Sequence, residues 1–279
     1  MNNILIDRIS FSTYINPKNN CNFLKNPDDA DIQHLDYDTE IAKTNLLNYA
    51  HLIDYKIHHI YTFTPDEIST LLECMNICIK VGRCSHLVDE DLEPIIRRLQ
   101  EYWYPGQWFV RFNSCSPKDG IGSFPITTPR KLIEMIVTSH RAKCALTHSD
   151  DTLLFVPFDP TRDDNRELRV FIHHKKITAI SQYNPYNLSY FSDKDDKYLH
   201  AVVNRIKLFL DPIIPTICSH VETNNLVCDI YLDHEDQPRI VEFNSFGYWL
   251  ATGGVLFHWL EDKDKLYNTQ NKIYLRLLT

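Results

Sequence analysis

The sequence predicts an α+β protein with mainly antiparallel sheets flanked by helices. Three observations carry this class. Capped, apolar-periodic helix patterns are interspersed with short strand patterns. Two pairs of strand patterns are joined by tight polar connections, which is the signature of hairpins. Glycine is scarce, with seven in 279 residues, at Gly82, Gly106, Gly120, Gly122, Gly247, Gly253 and Gly254. Neither G-x-x-x-x-G-K-[ST] nor G-x-G-x-x-G can be assembled from those positions, which disfavours a P-loop, a Rossmann site and a kinase glycine loop. Any bound nucleotide would therefore have much of its phosphate work done by side chains.

Residues 12–40 are rich in Asn, Asp, Pro and Lys and predict irregular surface chain. Thr64-Pro65-Asp66-Glu67 predicts a helix start: Thr as N-cap, Pro in the first turn and Glu placed to complete a capping box. Ile68, Leu71, Leu72, Met75 and Ile79 continue it at helical spacing. A second helix is expected from Glu90 to Tyr102, stopped by Pro105-Gly106, and Trp108 to Phe112 reads as a strand. Thr128-Pro129 opens a helix running to about Arg141. Leu153 to Phe158 is a strand and Pro160 to Arg166 a charged loop. Glu167 to Ile172 and Lys176 to Gln182 are strands joined through His173-His174-Lys175. Ser192 is the expected cap of a long helix with Leu199, Val202, Val203, Ile206, Phe209 and Leu210 on one face. Leu226 to Leu232, a turn over Asp233 to Gln237, and Arg239 to Asn244 form a second hairpin.

Composition narrows the function. With 29 Lys and Arg against 37 Asp and Glu, the net charge is −8, which argues against direct nucleic-acid binding through counterion release. No apolar run approaches the ~20 residues of a membrane span, and the opening residues lack a signal peptide's basic and apolar regions. Eight scattered cysteines fit a reduced cytoplasm better than a secreted disulfide framework. Cys74, Cys78, Cys84 and His86 have spacing that admits zinc, but the i,i+4 pair Cys74 and Cys78 sits in an apolar helix pattern and reads as core.

Three segments can carry chemistry. On the last hairpin Asp229 and Tyr231 share one face, and Ile240, Glu242 and Asn244 share a face of the return strand. If the acidic faces coincide, Asp229, Glu242 and Asn244 offer three hard oxygen ligands of the kind Mg²⁺ accepts. The competing reading is a solvated hairpin face. In RFNSCSPKDG, Arg111 offers a guanidinium fork and Ser114, Ser116, Lys118 and Asp119 crowd the loop behind it; a turn-and-cap loop is the competing reading. Glu167 and Arg169 face one side of their strand, where Arg169 is placed to reach a phosphate and Gln182 of the neighbouring strand to join it; a Glu–Arg pair on a wet sheet face is the alternative. The aromatic run Tyr102-Trp103-Tyr104 with Trp108 and Phe109 reads as core or edge packing.

Taken in order, WFVRFNSCSPKDG, ELRVFIHHKKITAISQY and LVCDIYLDHEDQPRIVEFNSFG followed by LFHW resemble the D123 family, the cell division cycle protein 123 homologues. The likeness spans roughly residues 100–262, and VCDIYLD followed by VEFNSFG is its most specific part. The resemblance implies an ATP-grasp-like fold, with two lobes around a nucleotide cleft, that binds ATP and Mg²⁺ and helps assemble eukaryotic translation initiation factor 2 through its gamma subunit. It implies Asp229, Glu242 and Asn244 as Mg²⁺ ligands, Arg111 at the phosphate, and Ser114, Ser116, Lys118 and Asp119 on the nucleotide loop. Glu167, Arg169 and Gln182 would line the cleft, and Phe158, Asp159 and Pro160 the adenine side. The family commonly has Asp at the place of Glu242, Lys at Arg111 and a basic residue at Phe158. The division expected from this likeness is a divergent, helical N-terminal part over 1–104 and the nucleotide-binding core over 105–279.

The function expected from these residues is a cytoplasmic ATP·Mg-binding assembly factor for the gamma subunit. The alternative is an ATP-grasp ligase joining a carboxylate to an amine. A third reading, a fold kept while the nucleotide is lost, draws its support from Phe158.

Overall fold

The computed structural model describes residues 3–14, 37–53, 55–250 and 252–279. Most of the stretch 12–40, expected to be irregular, lies outside them; its described ends are short helices. The chain divides into two compact units, Met1–Ile53 with Thr161–Thr279, and Asp54–Pro160. The boundary expected at 104/105 falls inside the second of these. Strand β1 (Asn3–Ile9) and helices α1 (Phe11–Tyr14), α2 (Tyr37–Ala42) and α3 (Leu46–Tyr49) begin the first unit. The second holds β2 (His59–Thr62), α4 (Pro65–Val81), α5 (Asp89–Glu101), β3 (Trp108–Phe112), α6 (Pro129–Val137), α7 (His140–Thr147) and β4 (Thr152–Pro157). The first unit is completed by β5 (Glu167–His173), β6 (Lys176–Gln182), α8 (Asp196–Leu210), α9 (Ile214–His220), β7 (Leu226–Leu232), β8 (Pro238–Ser245), α10 (Lys263–Leu266) and β9 (Lys272–Leu278).

In the second unit, β2, β4 and β3 form an antiparallel sheet in that order. Helix α4 starts at the expected capping box: Glu67 N donates to Thr64 Oγ1 at 3.2 Å and Thr64 N donates to Glu67 Oε2 at 2.8 Å. It stops at Gly82, whose φ of 69° is the left-handed conformation glycine adopts without strain. Leu71, Cys74, Met75 and Cys78 pack with Leu92, Ile95 and Leu99 of α5 and with Val110, Phe112 and Phe155 of the sheet. The two cysteines are therefore core residues, as their spacing predicts. Where one helix is expected from Pro129 to Arg141, there are two. Ser139 caps the second through Ala142 N at 2.9 Å, and the Thr138 hydroxyl donates back to the Glu134 carbonyl at 2.7 Å. Hydroxyls competing for backbone groups end the first helix and start the next.

The first unit contains, among the described residues, a six-stranded sheet in the order β1-β9-β6-β5-β7-β8. Strand β9 pairs in parallel with both β1 and β6, and the remaining pairs are antiparallel. The β5–β6 turn places His174 and Lys175 at φ of 48° and 62°, as a two-residue hairpin loop requires. Helix α8 is capped by Asp195, which accepts from Tyr198 N at 2.7 Å. Ser192, the expected cap, instead accepts from Ser189 N at 3.0 Å.

The β7–β8 hairpin carries a bulge. Asp229 opposes Glu242, but Ile230 opposes Ile240, leaving Val241 as the extra residue. Ile240 therefore leaves the face of Glu242 and Asn244 that simple alternation assigns to it.

Candidate functional site

One register row crosses the first unit's sheet from edge to edge. Asp7 pairs with Arg276, Arg276 with Ser181, Ser181 with Arg169, Arg169 with Asp229, and Asp229 with Glu242. Partners opposite one another present side chains to the same face. The row thus lines up acid, base, hydroxyl, base, acid and acid on one face. The inner members Arg276, Ser181, Arg169 and Asp229 are buried, and buried charges persist only if they are paired and hydrogen-bonded.

At the centre of the row, Arg169 Nε and Nη2 each donate to an Asp229 oxygen at 2.8 Å. Its third nitrogen, Nη1, donates to the Gly253 carbonyl at 2.6 Å. Asp229 is fully buried and Arg169 nearly so. Burial alone would lower the pKa of Arg169, but the Asp229 carboxylate outweighs it and holds the guanidinium firmly protonated. A two-point fork between planar groups fixes orientation as well as charge.

Beside this pair, Asn244 Nδ2 donates to Asp229 Oδ2 at 3.1 Å and to Glu242 Oε1 at 3.4 Å. The structure thus brings Asp229, Glu242 and Asn244 together, with one amide bridging two carboxylates. Two carboxylates and a side-chain amide are donor types suited to Mg²⁺; here Asn244 turns its Nδ2 toward the acids, so its oxygen joins the set only when the amide is flipped, and the Asp229 charge is already met by Arg169. No group of three or more His, Cys, Asp and Glu gathers as a metal set among the described residues; this cluster has two acids and an amide.

Glu167 continues the same face. Its carboxylate accepts from Arg162 Nη2 at 2.7 Å, and the Arg162 guanidinium lies 5.4 Å from the Tyr231 ring opposite Glu167. At the other end of the row, Arg276 donates to Asp7 at 2.8 Å, to both Asp262 oxygens at 2.6 and 2.9 Å, and to the Leu256 carbonyl at 3.1 Å. Leu256 N donates to Ser181 Oγ at 3.3 Å. The segment 252–262 is therefore tied to the sheet through Arg169, Ser181 and Arg276.

Gln182 is not part of this face. It opposes Leu168, one residue out of phase with Arg169, and so points to the other side of the sheet. Its amide donates to the Asn184 and Asn187 carbonyls at 2.6 and 2.9 Å and accepts from Leu278 N at 2.8 Å. The polar side chain braces the 184–187 loop and strand β9.

The remaining expected residues belong to the second unit. Arg111, on β3, is buried and its Nε donates to the Phe112 carbonyl at 3.1 Å. Ser114 N donates to Asp150 at 2.7 Å, and the carbonyl of buried Ser116 accepts from Arg141 Nε at 2.9 Å. Asp119 accepts from the Ser139 hydroxyl and from Arg141 N, so it supports the start of α7. Lys118 is exposed on the same loop. Gly120 has no room for a side chain, because a Cβ would sit 2.1 Å from the Met135 carbonyl oxygen. Phe158 is half-buried with its N–H on the Gln107 carbonyl at 2.9 Å, while Asp159 and Pro160 are exposed.

Arg162, Gly253 and the Arg276–Asp262 pair carry no motif in the sequence that marks them for this face. The adjacent glycines 253 and 254 in a glycine-poor chain were the available signal for a close approach: a Cβ at Gly254 would lie 2.1 Å from the Phe257 carbonyl oxygen.

The structure resembles Cdc123 from Schizosaccharomyces pombe at 18% identity, covering 85% of this chain and 96% of that one with a TM-score of 0.58. The C-terminally truncated form of that protein gives 17% identity, 87% and 98% coverage and a TM-score of 0.59. A weaker likeness, with a TM-score of 0.37 at 14% identity, is found to the D-alanine-D-alanine ligase from Coxiella burnetii, covering 83% of this chain and 56% of that one. No curated protein matches the chain by sequence. The first two likenesses establish a shared fold. The D123 family model matches residues 158–279, the stretch holding Glu167, Arg169, Asp229, Glu242 and Asn244. Over that stretch, a little under half of the chain, the sequence is similar to the D123 family.

Proposed function

We propose that this protein binds ATP with Mg²⁺ and, so loaded, grips the gamma subunit of translation initiation factor 2 to promote its assembly. The observation that carries the reading is the convergence of Asp229, Glu242 and Asn244 on one sheet face, at the positions the D123 resemblance gives to Mg²⁺ ligands. In this reading these three residues hold the ion. Magnesium, when bound, neutralises part of the polyphosphate charge. Glu167 lines the face beside it, and Arg169 fixes the direction of the Asp229 carboxylate. We extend the nucleotide assignment, on the resemblance, to Arg111, Ser114, Ser116, Lys118 and Asp119 and to Phe158, Asp159 and Pro160. The nucleotide here is a structural ligand, so bound ATP stabilises the fold by mass action.

The test is reconstitution with purified gamma subunit. Stable co-elution that requires ATP and Mg²⁺, with no ADP released, is the expected result. Co-elution that is indifferent to nucleotide would contradict the reading. Release of ADP together with a covalently modified acceptor would identify a ligase instead.

A further inference from the structure

We propose that Tyr49 is a positioning residue for the metal ligands of β8, acting as a one-residue substitute for a neighbouring strand. This rests on the reading of Glu242 and Asn244 as ligands given above. Strand β8 ends the sheet order, and an edge strand presents outward-facing N–H and C=O groups that no further strand pairs. At Phe243 both are taken by one side chain. Phe243 N donates to Tyr49 Oη at 2.8 Å, and the Tyr49 hydroxyl donates back to the Phe243 carbonyl at 3.4 Å.

The pinned peptide matters because of its neighbours. Phe243 stands between Glu242 and Asn244, so fixing its backbone fixes the Cα atoms from which both side chains project. The bulge at Val241 lies immediately before Glu242, where the ladder to β7 is locally disrupted and the strand free to bend. A clamp from the outer side is needed just there. Tyr49 is fully buried, with its ring edge-on to that of Phe243 at 5.1 Å and 84°. Its hydroxyl is therefore held by packing as well as by its two hydrogen bonds. Short helix α3, in the part of the chain that the family likeness leaves blank, thereby contributes to the site.

Tyr49→Phe removes a single oxygen and keeps the ring. The change leaves a backbone donor and acceptor unpaired, so exchange of the Phe243 amide should rise by about tenfold or more while β5 and β6 amides keep their protection. Affinity for Mn²⁺ with ATP, read by electron paramagnetic resonance on folded protein, should fall about tenfold, as for other groups that orient metal ligands. Unchanged exchange at Phe243 in the variant, or a Phe243 amide that exchanges in the parent as fast as an open edge, overturns the clamp even if the variant does not fold. Faster exchange with Mn²⁺ affinity intact makes Tyr49 merely structural and also overturns the proposal. If the parent itself binds no Mn²⁺, the metal reading fails, while the exchange measurement still reports on the clamp.

Discussion

Both oxygens of the fully buried Asp229 accept from the Arg169 guanidinium, Nε and Nη2 each at 2.8 Å. Two charges withdrawn from water depend on each other, and removing one strands the other. Arg169→Met is therefore expected to cost about 3–5 kcal/mol. The double variant Arg169→Met/Asp229→Leu should cost clearly less than the sum of the single changes. Urea unfolding of the parent, both single variants and the double variant measures the coupling; simple additivity would show that the pair is not mutually dependent.

The Arg276–Asp262 pair sets an acid limit. Burial would raise the Asp262 carboxyl, but hydrogen bonds from Arg276 and Lys265 outweigh it and bring its pKa down to about 2. The unfolded chain holds an Asp near 3.9, so the folded-state value is the lower one. This contribution is present above about pH 4 and is lost as pH falls toward 2. Its size is on the order of 2 kcal/mol. Melting temperature followed over that interval should fall more steeply in the parent than in Asp262→Asn, which starts lower at neutral pH. Parallel curves would contradict the assignment.

A milder acid dependence comes from two histidines. Burial, with a smaller part from His58, lowers His59 to about 4, and burial with His174 does the same to His173. For a base the folded-state value again lies below the unfolded one, near 6.5, so the unfolded chain takes up protons first. Stability should be full above pH 6.5 and decline as pH drops toward 4. His59 stacks on Phe155 with ring centroids 4.0 Å apart, so His59→Phe keeps the packing and should remove part of that slope, His173 supplying the rest. A slope unchanged in His59→Phe would mean the imidazole titrates normally.

The two neighbouring glycines should respond unequally to alanine. At Gly254 a Cβ would meet the Phe257 carbonyl oxygen at 2.1 Å, whereas at Gly253 the nearest atom is Arg169 Nη1 at 3.9 Å. Gly254→Ala is expected to cost about 2 kcal/mol or more through backbone displacement, and Gly253→Ala less than about 0.5 kcal/mol. Thermal unfolding of the two variants decides; equal losses would contradict the close approach.

Local rules carried much of the fold. The Thr64 capping box, the helix of Leu71 and Met75, and the hairpin turn at His174-Lys175 follow from residues near one another in sequence. So does the pairing of Asp229 with Glu242. What was not legible is mostly non-local or a matter of phase. Strands β1 and β9 pair across the length of the chain, and nothing local at either end announces them. The Val241 bulge moves Ile240 off the face of Glu242 and Asn244 without a glycine to mark it. Gln182 sits one residue out of phase with Arg169, a distinction that needs the strand register. Tyr49 was out of reach for the same reason, since its partner peptide is 194 residues away.

The central claim is that Asp229, Glu242 and Asn244 hold the magnesium of a bound nucleotide. Calorimetric titration of Mg·ATP into the parent and into Glu242→Ala tests it most directly, because Glu242 is only half-buried at the sheet edge and its loss should leave the fold intact by circular dichroism. Saturable binding by the parent that weakens tenfold or more in the folded variant is the expected result. Equal affinity in the two proteins, or no binding by the parent at millimolar Mg·ATP, would contradict it.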